Sequence, residues 1–115
     1  MKSPLDPVIV EQIRQLGGDK LLAELVEIFL THTPIRLREL QTGLEEDDMV
    51  RAEKAAHSFR SSSVSLGASA LAEDAASLER LASKAATDEF RQRLPAFQAS
   101  VEELLAFLRA EYGGR

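Results

Sequence analysis

The sequence has no cysteine and no tryptophan, and only five Phe and one Tyr among 115 residues. Without cysteine there is neither a disulfide framework nor a thiolate metal site. Uninterrupted apolar runs last only a few residues, far short of the roughly 20 that span a bilayer. Basic residues are in the minority, 14 against 19 acidic ones, and the formal net charge is −5. The two signs are interspersed, whereas phosphate-backbone binding needs clustered cations, so nucleic acid is not an expected partner. Met1-Lys2-Ser3-Pro4-Leu5-Asp6-Pro7 lacks the apolar stretch of a secretory leader. A soluble cytoplasmic protein with no membrane partner is the expectation. The start at Met1 and the absence of a linker at either end favour a free-standing protein.

What is abundant points to helices. Seventeen Leu and 16 Ala stand against ten Val and Ile combined, a balance of helix formers over strand formers. The length predicts one domain, residues 1–115, with a single core. The six glycines, Gly17-Gly18, Gly43, Gly67 and Gly113-Gly114, fall where helices are expected to begin or end.

Periodicity divides the chain into five segments. A short one carries Leu5, Ile9, Ile13 and Leu16 at helical spacing. A long one, with Asp19 as a plausible N-cap, repeats Leu22, Leu25, Phe29, Thr33, Leu37, Leu40 and Leu44. Pro34 predicts a kink within it. The third starts near Asp47 or Asp48, ends at Gly67 and buries Ala52, Ala56, Phe59, Ser63 and Leu66. In the fourth, Ser69 reads as N-cap before Leu71, Ala75, Leu78, Leu81 or Ala82, and Ala85. The fifth starts at Thr87 or Asp88 and carries Phe90, Leu94, Phe97, Val101, Leu104 or Leu105, and Leu108, with Pro95 inside it. Four long amphipathic helices with short connections predict an all-α, antiparallel up-down four-helix bundle, closed at one end by a short N-terminal capping helix.

Two histidines are the only candidates for chemistry. His32, in Thr31-His32-Thr33-Pro34, has no second ligand at metal spacing and is assigned no role. His57 lies about 140° around its helix from the buried stripe, so its ring should face solvent. Lys54 and Arg60 bracket it one turn to either side, offset in part by Glu53, and Val64 follows a turn further. Imidazole is partly neutral at physiological pH and then nucleophilic, and a guanidinium pairs well with phosphoryl oxygens. Such a site suits a reversible phosphoryl acceptor. On geometry alone, a histidine between surface cations is also an ordinary solvated residue. Five serines, Ser58, Ser61, Ser62, Ser63 and Ser65, crowd this stretch. They either leave room for a partner to approach or simply allow close helix packing at Ser63.

The run Ala56-His57-Ser58-Phe59-Arg60-Ser61-Ser62-Ser63-Val64-Ser65-Leu66-Gly67-Ala68, followed by Leu71 and by Leu78-Glu79, resembles the signature of the histidine-containing phosphotransfer domain of two-component phosphorelays. Leu21-Leu22, Phe29-Leu30 before Pro34, Leu37 and Leu40 fit the upstream pattern. The resemblance implies that His57 is phosphorylated through Nε2, and that the partners are receiver domains of response regulators or hybrid histidine kinases. Arg60 stands where the family usually has Lys, and Ser61 where it usually has Gly, a departure that bears on docking clearance.

The mechanism expected on that basis is in-line attack by His57 on a receiver's aspartyl phosphate, with Arg60 and Lys54 steadying the transferred group. Ser58, Ser61 and Val64 should line the docking face. No cofactor or metal is expected on this chain; Mg²⁺ belongs to the partner's acidic pocket. There is no P-loop or other Gly-rich phosphate cradle, so autonomous kinase activity is not expected. The competing readings are a non-catalytic helical adaptor in which His57 is incidental and a degenerate fragment of a hybrid sensor kinase.

Overall fold

A computed structural model describes residues 3–113. Met1, Lys2, Gly114 and Arg115, which belong to the leader and helix-end readings above, lie outside the described residues. Four helices account for most of the chain: α1 Pro7–Glu45, α2 Met49–Leu66, α3 Ser69–Ser83 and α4 Thr87–Tyr112. They pack in a ring, α1 on α2, α2 on α3, α3 on α4 and α4 back on α1.

The short first segment and the long second one are joined without a loop. Helix α1 runs from a capping Asp6, whose carboxylate accepts from the Val8 N–H, through a kink at Gly18 (φ 71°, ψ −170°) to Glu45. That dihedral pair is essentially open only to glycine, so a single residue turns the chain. Asp19 therefore does not begin a separate helix; its carboxylate accepts from Arg14 Nε at 3.0 Å, bridging the kink. Leu5 lies ahead of the helix yet is buried with Val10 and Ile13, whereas Leu16 is 82% exposed. The kink, by turning the chain two residues later, takes Leu16 out of the register its spacing suggested. Pro34 lies within α1, and its dihedrals stay helical.

Helix α2 begins at Asp48, which accepts from the Arg51 N–H, and ends at Gly67 in the left-handed conformation (φ 81°). Its predicted stripe, Ala52, Ala56, Phe59, Ser63 and Leu66, is buried throughout. Helix α3 starts one residue earlier than expected: Ala68 occupies the cap, Ser69 is already helical, and no side chain caps the end. Ala85 is exposed with φ 53° in the α3–α4 turn, outside the core face it was assigned to. On α4, Phe90, Leu94, Phe97, Val101, Leu104, Leu105 and Leu108 are all buried. Arg51 ties α2 to α1 by pairing with Glu39, Nη2 to Oε1 at 3.0 Å, and this hydrogen bonding holds the Glu39 carboxyl below its ordinary range.

Gly67 also receives the N-terminal segment. Its carbonyl accepts from the Asp6 N–H at 2.7 Å, and a Cβ placed there would meet the Ile9 Cβ at 2.9 Å. Gly67→Ala should therefore cost about 2–3 kcal/mol, from left-handed strain together with the clash. Urea unfolding measures it, and a change below a few tenths of a kcal/mol would contradict the packing described. Ser63 supplies the opposite case. Its hydroxyl is fully buried with no hydrogen-bond partner, so Ser63→Ala should stabilise the fold by about 1 kcal/mol. A loss of stability would reveal a bond this geometry lacks.

Candidate functional site

The outer face of α2 follows the same 4-3-4-3 spacing as its buried stripe. Val50, Lys54, His57, Ser61 and Val64 are all exposed along it, Val50 and Val64 at 63% and 60%. His57 occupies the middle, next to the buried Ala56, with its side chain 56% exposed. The local reason is amphipathicity: with Ala56 and Phe59 committed to the core, the intervening residue on the opposite arc has only solvent to face.

The hydrogen bonds of the ring converge on one nitrogen. Glu79, from α3, places Oε2 2.9 Å from His57 Nδ1, and Arg60, one turn along α2, places Nη2 3.1 Å from the same atom. Arg60 Nε lies 3.2 Å from Glu79 Oε1. A carboxylate only accepts and a guanidinium only donates, so Nδ1 cannot satisfy both at once. The guanidinium already has Glu79 as an acceptor, while the carboxylate, 21% exposed, is the more desolvated partner. These facts favour a proton on Nδ1, donated to Glu79. In that tautomer the lone pair is on Nε2.

Beside the ring lies a shallow depression of about 330 Å³ lined by Glu53, Lys54, His57, Ser58 and Glu79. Lys54 is exposed and joins none of the ion pairs among the described residues. The fold thus brings His57, Lys54 and Ser58 to one hollow, with Ser61 and Val64 continuing along the same helix face. Arg60 is adjacent as expected, but its guanidinium is engaged with Glu79 on the Nδ1 side of the ring rather than with Nε2. Of the serines, Ser62 and Ser65 donate to the carbonyls of Ser58 and Ser61 at 2.8 and 3.1 Å, and Ser63 packs into the core.

Two residues escaped the sequence reading. Glu79 was noted only as part of a motif, although its place beside the buried Leu78 puts it on the flank of α3, where a neighbouring helix is met. Val50 repeats the outward spacing one heptad before His57, a signal present in the sequence and not followed. A further groove between α1 and α2, lined by Leu25, Ile28, Phe29, Arg36, Ser62, Ser65 and Leu66, opens beyond the histidine toward the C-terminal end of α2.

Among the described residues, no group of three or more His, Asp or Glu is placed to hold a metal ion, and no helix is long and apolar enough to cross a membrane. No curated protein and no solved structure matches the chain. One family model does, that of the Hpt domain, over residues 24–110. The matched span takes in all of α2 and α3 and with them His57, Arg60 and Glu79. Hpt domains are helical bundles that act in two-component phosphotransfer as intermediates rather than kinases and interact with receiver domains. With most of its length matched, and an outward histidine within the match, the chain belongs to the Hpt domain family.

Proposed function

We propose that this protein is a phosphorelay intermediate whose His57 accepts a phosphoryl group from a receiver-domain aspartate and passes it to another receiver. The observation that carries the reading is the exposed imidazole whose Nδ1 is held by Glu79, leaving Nε2 as nucleophile. In the forward step the Nε2 lone pair forms a bond to phosphorus while the bond from phosphorus to the aspartyl oxygen breaks, and the aspartate leaves as a carboxylate. No proton has to move. The ring then carries positive charge, which the Glu79 carboxylate beside Nδ1–H stabilises. The reverse transfer uses the same groups.

Lys54 is the cation best placed for the transferred group, since it shares the depression with His57. Arg60 reaches the phosphoryl oxygens by a rotamer change that releases Glu79. The outward stripe of α2, with Ser58, Ser61, Val50 and Val64, forms the docking face, extended by the groove toward Ile28 of α1. Ser61 adds only a hydroxymethyl group there. Mg²⁺ comes with the partner, and a cytoplasmic location follows from the receivers it serves. The up-down antiparallel bundle, with residues before Gly18 closing one end, belongs to the same reading. Its basis is the short connections, Glu46–Asp48, Gly67–Ala68 and Lys84–Ala86, which leave no length for a crossover.

The test is incubation with a receiver carrying labelled aspartyl phosphate. Acid-labile, base-stable label arriving on this chain supports the relay, and no transfer from several receivers favours the adaptor. Substitutions at Glu79 refine the mechanism. Glu79→Ala removes a charge-assisted hydrogen bond of about 1.5–3 kcal/mol, so the transfer rate should fall roughly 10- to 100-fold. Glu79→Gln, which can still accept from Nδ1–H but carries no charge, should fall between. Equal rates for all three would remove Glu79 from the mechanism.

A further inference from the structure

One carboxylate beside His57 serves two partners. Glu79 presents Oε2 to Nδ1 at 2.9 Å and Oε1 to the Arg60 Nε at 3.2 Å. With the ring neutral, the charges of Arg60 and Glu79 cancel. A second proton on the ring would set a cation against the guanidinium, whose Nη2 is 3.1 Å from Nδ1, with a single carboxylate between them. If Arg60 were absent, Glu79 would face the ring undivided, and an opposite charge at hydrogen-bond distance stabilises an imidazolium. An imidazolium carries a proton on both nitrogens and has no lone pair with which to attack phosphorus.

The remaining charges around the ring are few. On α3, the residues one turn to either side of Glu79 are Ala75, Ala76, Ala82 and Ser83, so Glu79 is the only charge that arc of the helix brings to the ring. On α2, Glu53 and Lys54 line the hollow with His57, opposite in sign and joined to no ion pair among the described residues. Helix α1 meets α2 elsewhere, where Arg51 pairs with Glu39 and Glu46, and none of its residues lines the hollow. The site therefore faces two opposing demands. A carboxylate at Nδ1 is needed to hold the tautomer that frees Nε2, yet the same carboxylate, uncompensated, favours a proton on Nε2 as well. A cation on its second oxygen reconciles them.

We propose that Arg60 is a positioning residue that acts through Glu79: by sharing its carboxylate, Arg60 keeps the His57 ring neutral while Glu79 keeps the proton on Nδ1. This gives Arg60 a part in the resting chain, before any phosphoryl group arrives for it to meet. Its bearing on transfer rests on the relay reading, since only there does the neutral ring act as nucleophile.

Proton NMR titration of the full chain tests it without any receiver, the His57 ring signal being identified by its loss in His57→Gln. Arg60→Ala should raise the titration midpoint of His57 by about one pH unit, the low end of a charge effect at a half-exposed site. Arg60→Lys, which keeps a cation beside Oε1, should stay close to the wild-type midpoint. The double variant Arg60→Ala/Glu79→Gln, which removes both charges, should return to within a few tenths of a unit of it. Transfer from a labelled receiver then supplies the second readout, as the ratio of wild-type to Arg60→Ala rates across pH. The deficit should approach roughly tenfold below both midpoints and shrink as pH rises, because above them the ring is neutral in either chain. Loss of a phosphoryl contact alone would give the same factor at every pH. A midpoint that Arg60→Ala leaves unchanged or lowers, a double variant as raised as the single one, or a deficit independent of pH would each overturn the proposal. Because the titration uses no receiver, an unmoved midpoint in a chain that still accepts label would remove the part given to Arg60 and leave the relay standing.

Discussion

His57→Gln is expected to leave no detectable label on the protein after incubation with a phosphorylated receiver, a loss of at least about 10³-fold in transfer. Glutamine keeps much of the size and polarity of the side chain and has no ring nitrogen, so the acceptor atom alone disappears. At 56% exposure the position contributes little packing, and stability should stay within about 0.5 kcal/mol of wild type. The chemistry of the label adds a second readout. A phosphoryl group on imidazole is acid-labile and base-stable, and only the wild type should carry it. The one other histidine is His32, exposed on α1; label persisting on the Gln variant would move the acceptor away from His57 and defeat the relay mechanism.

Phe59→Ala should produce the largest loss of stability. Phe59 is fully buried and meets Phe97 of α4 edge-to-face, with ring centroids 5.1 Å apart and planes at 87°, so it links two helices that are not neighbours in the chain. Truncation leaves a cavity and costs about 3–5 kcal/mol, set against a total of about 5–15 kcal/mol for a domain. The urea midpoint should fall accordingly. Phe59→Leu, which refills part of the volume, should recover most of the loss. Since Phe59 stands two residues from His57 on the opposite side of α2, phosphoryl transfer by the Ala variant should track the folded fraction. A normal midpoint with impaired transfer would contradict that account.

Much of the architecture was legible because helical burial repeats every three or four residues. Every residue of the α2 stripe is buried as its spacing required, and so is each α4 position read as inward. Gly67 ended its helix in the left-handed region as expected. Apart from the kink expected at Pro34, where the dihedrals stay helical, the misreadings share a cause: each fell where the chain changes direction. Periodicity carries Leu16 and Ala85 inward only if the helix continues unbent, but the turn at Gly18 and the positive φ of Ala85 interrupt the count. Ser69 has the chemistry of a cap, yet the helix begins at Ser69 itself, with Ala68 in the capping position.

The site divides along the same line. That His57 faces outward, with Lys54 and Arg60 one turn to either side, is a property of one helix and could be worked out from 100° per residue. The contact from Glu79 to Nδ1 spans 22 positions of sequence and depends on how α2 and α3 are rotated against each other, which no local pattern encodes. Which nitrogen of the imidazole is held and which stays free was therefore decided by tertiary packing. The helices, their buried faces and the outward place of His57 came from the sequence itself, because amphipathicity is written in consecutive residues, whereas the orientation of the ring arises only when two distant segments are brought side by side.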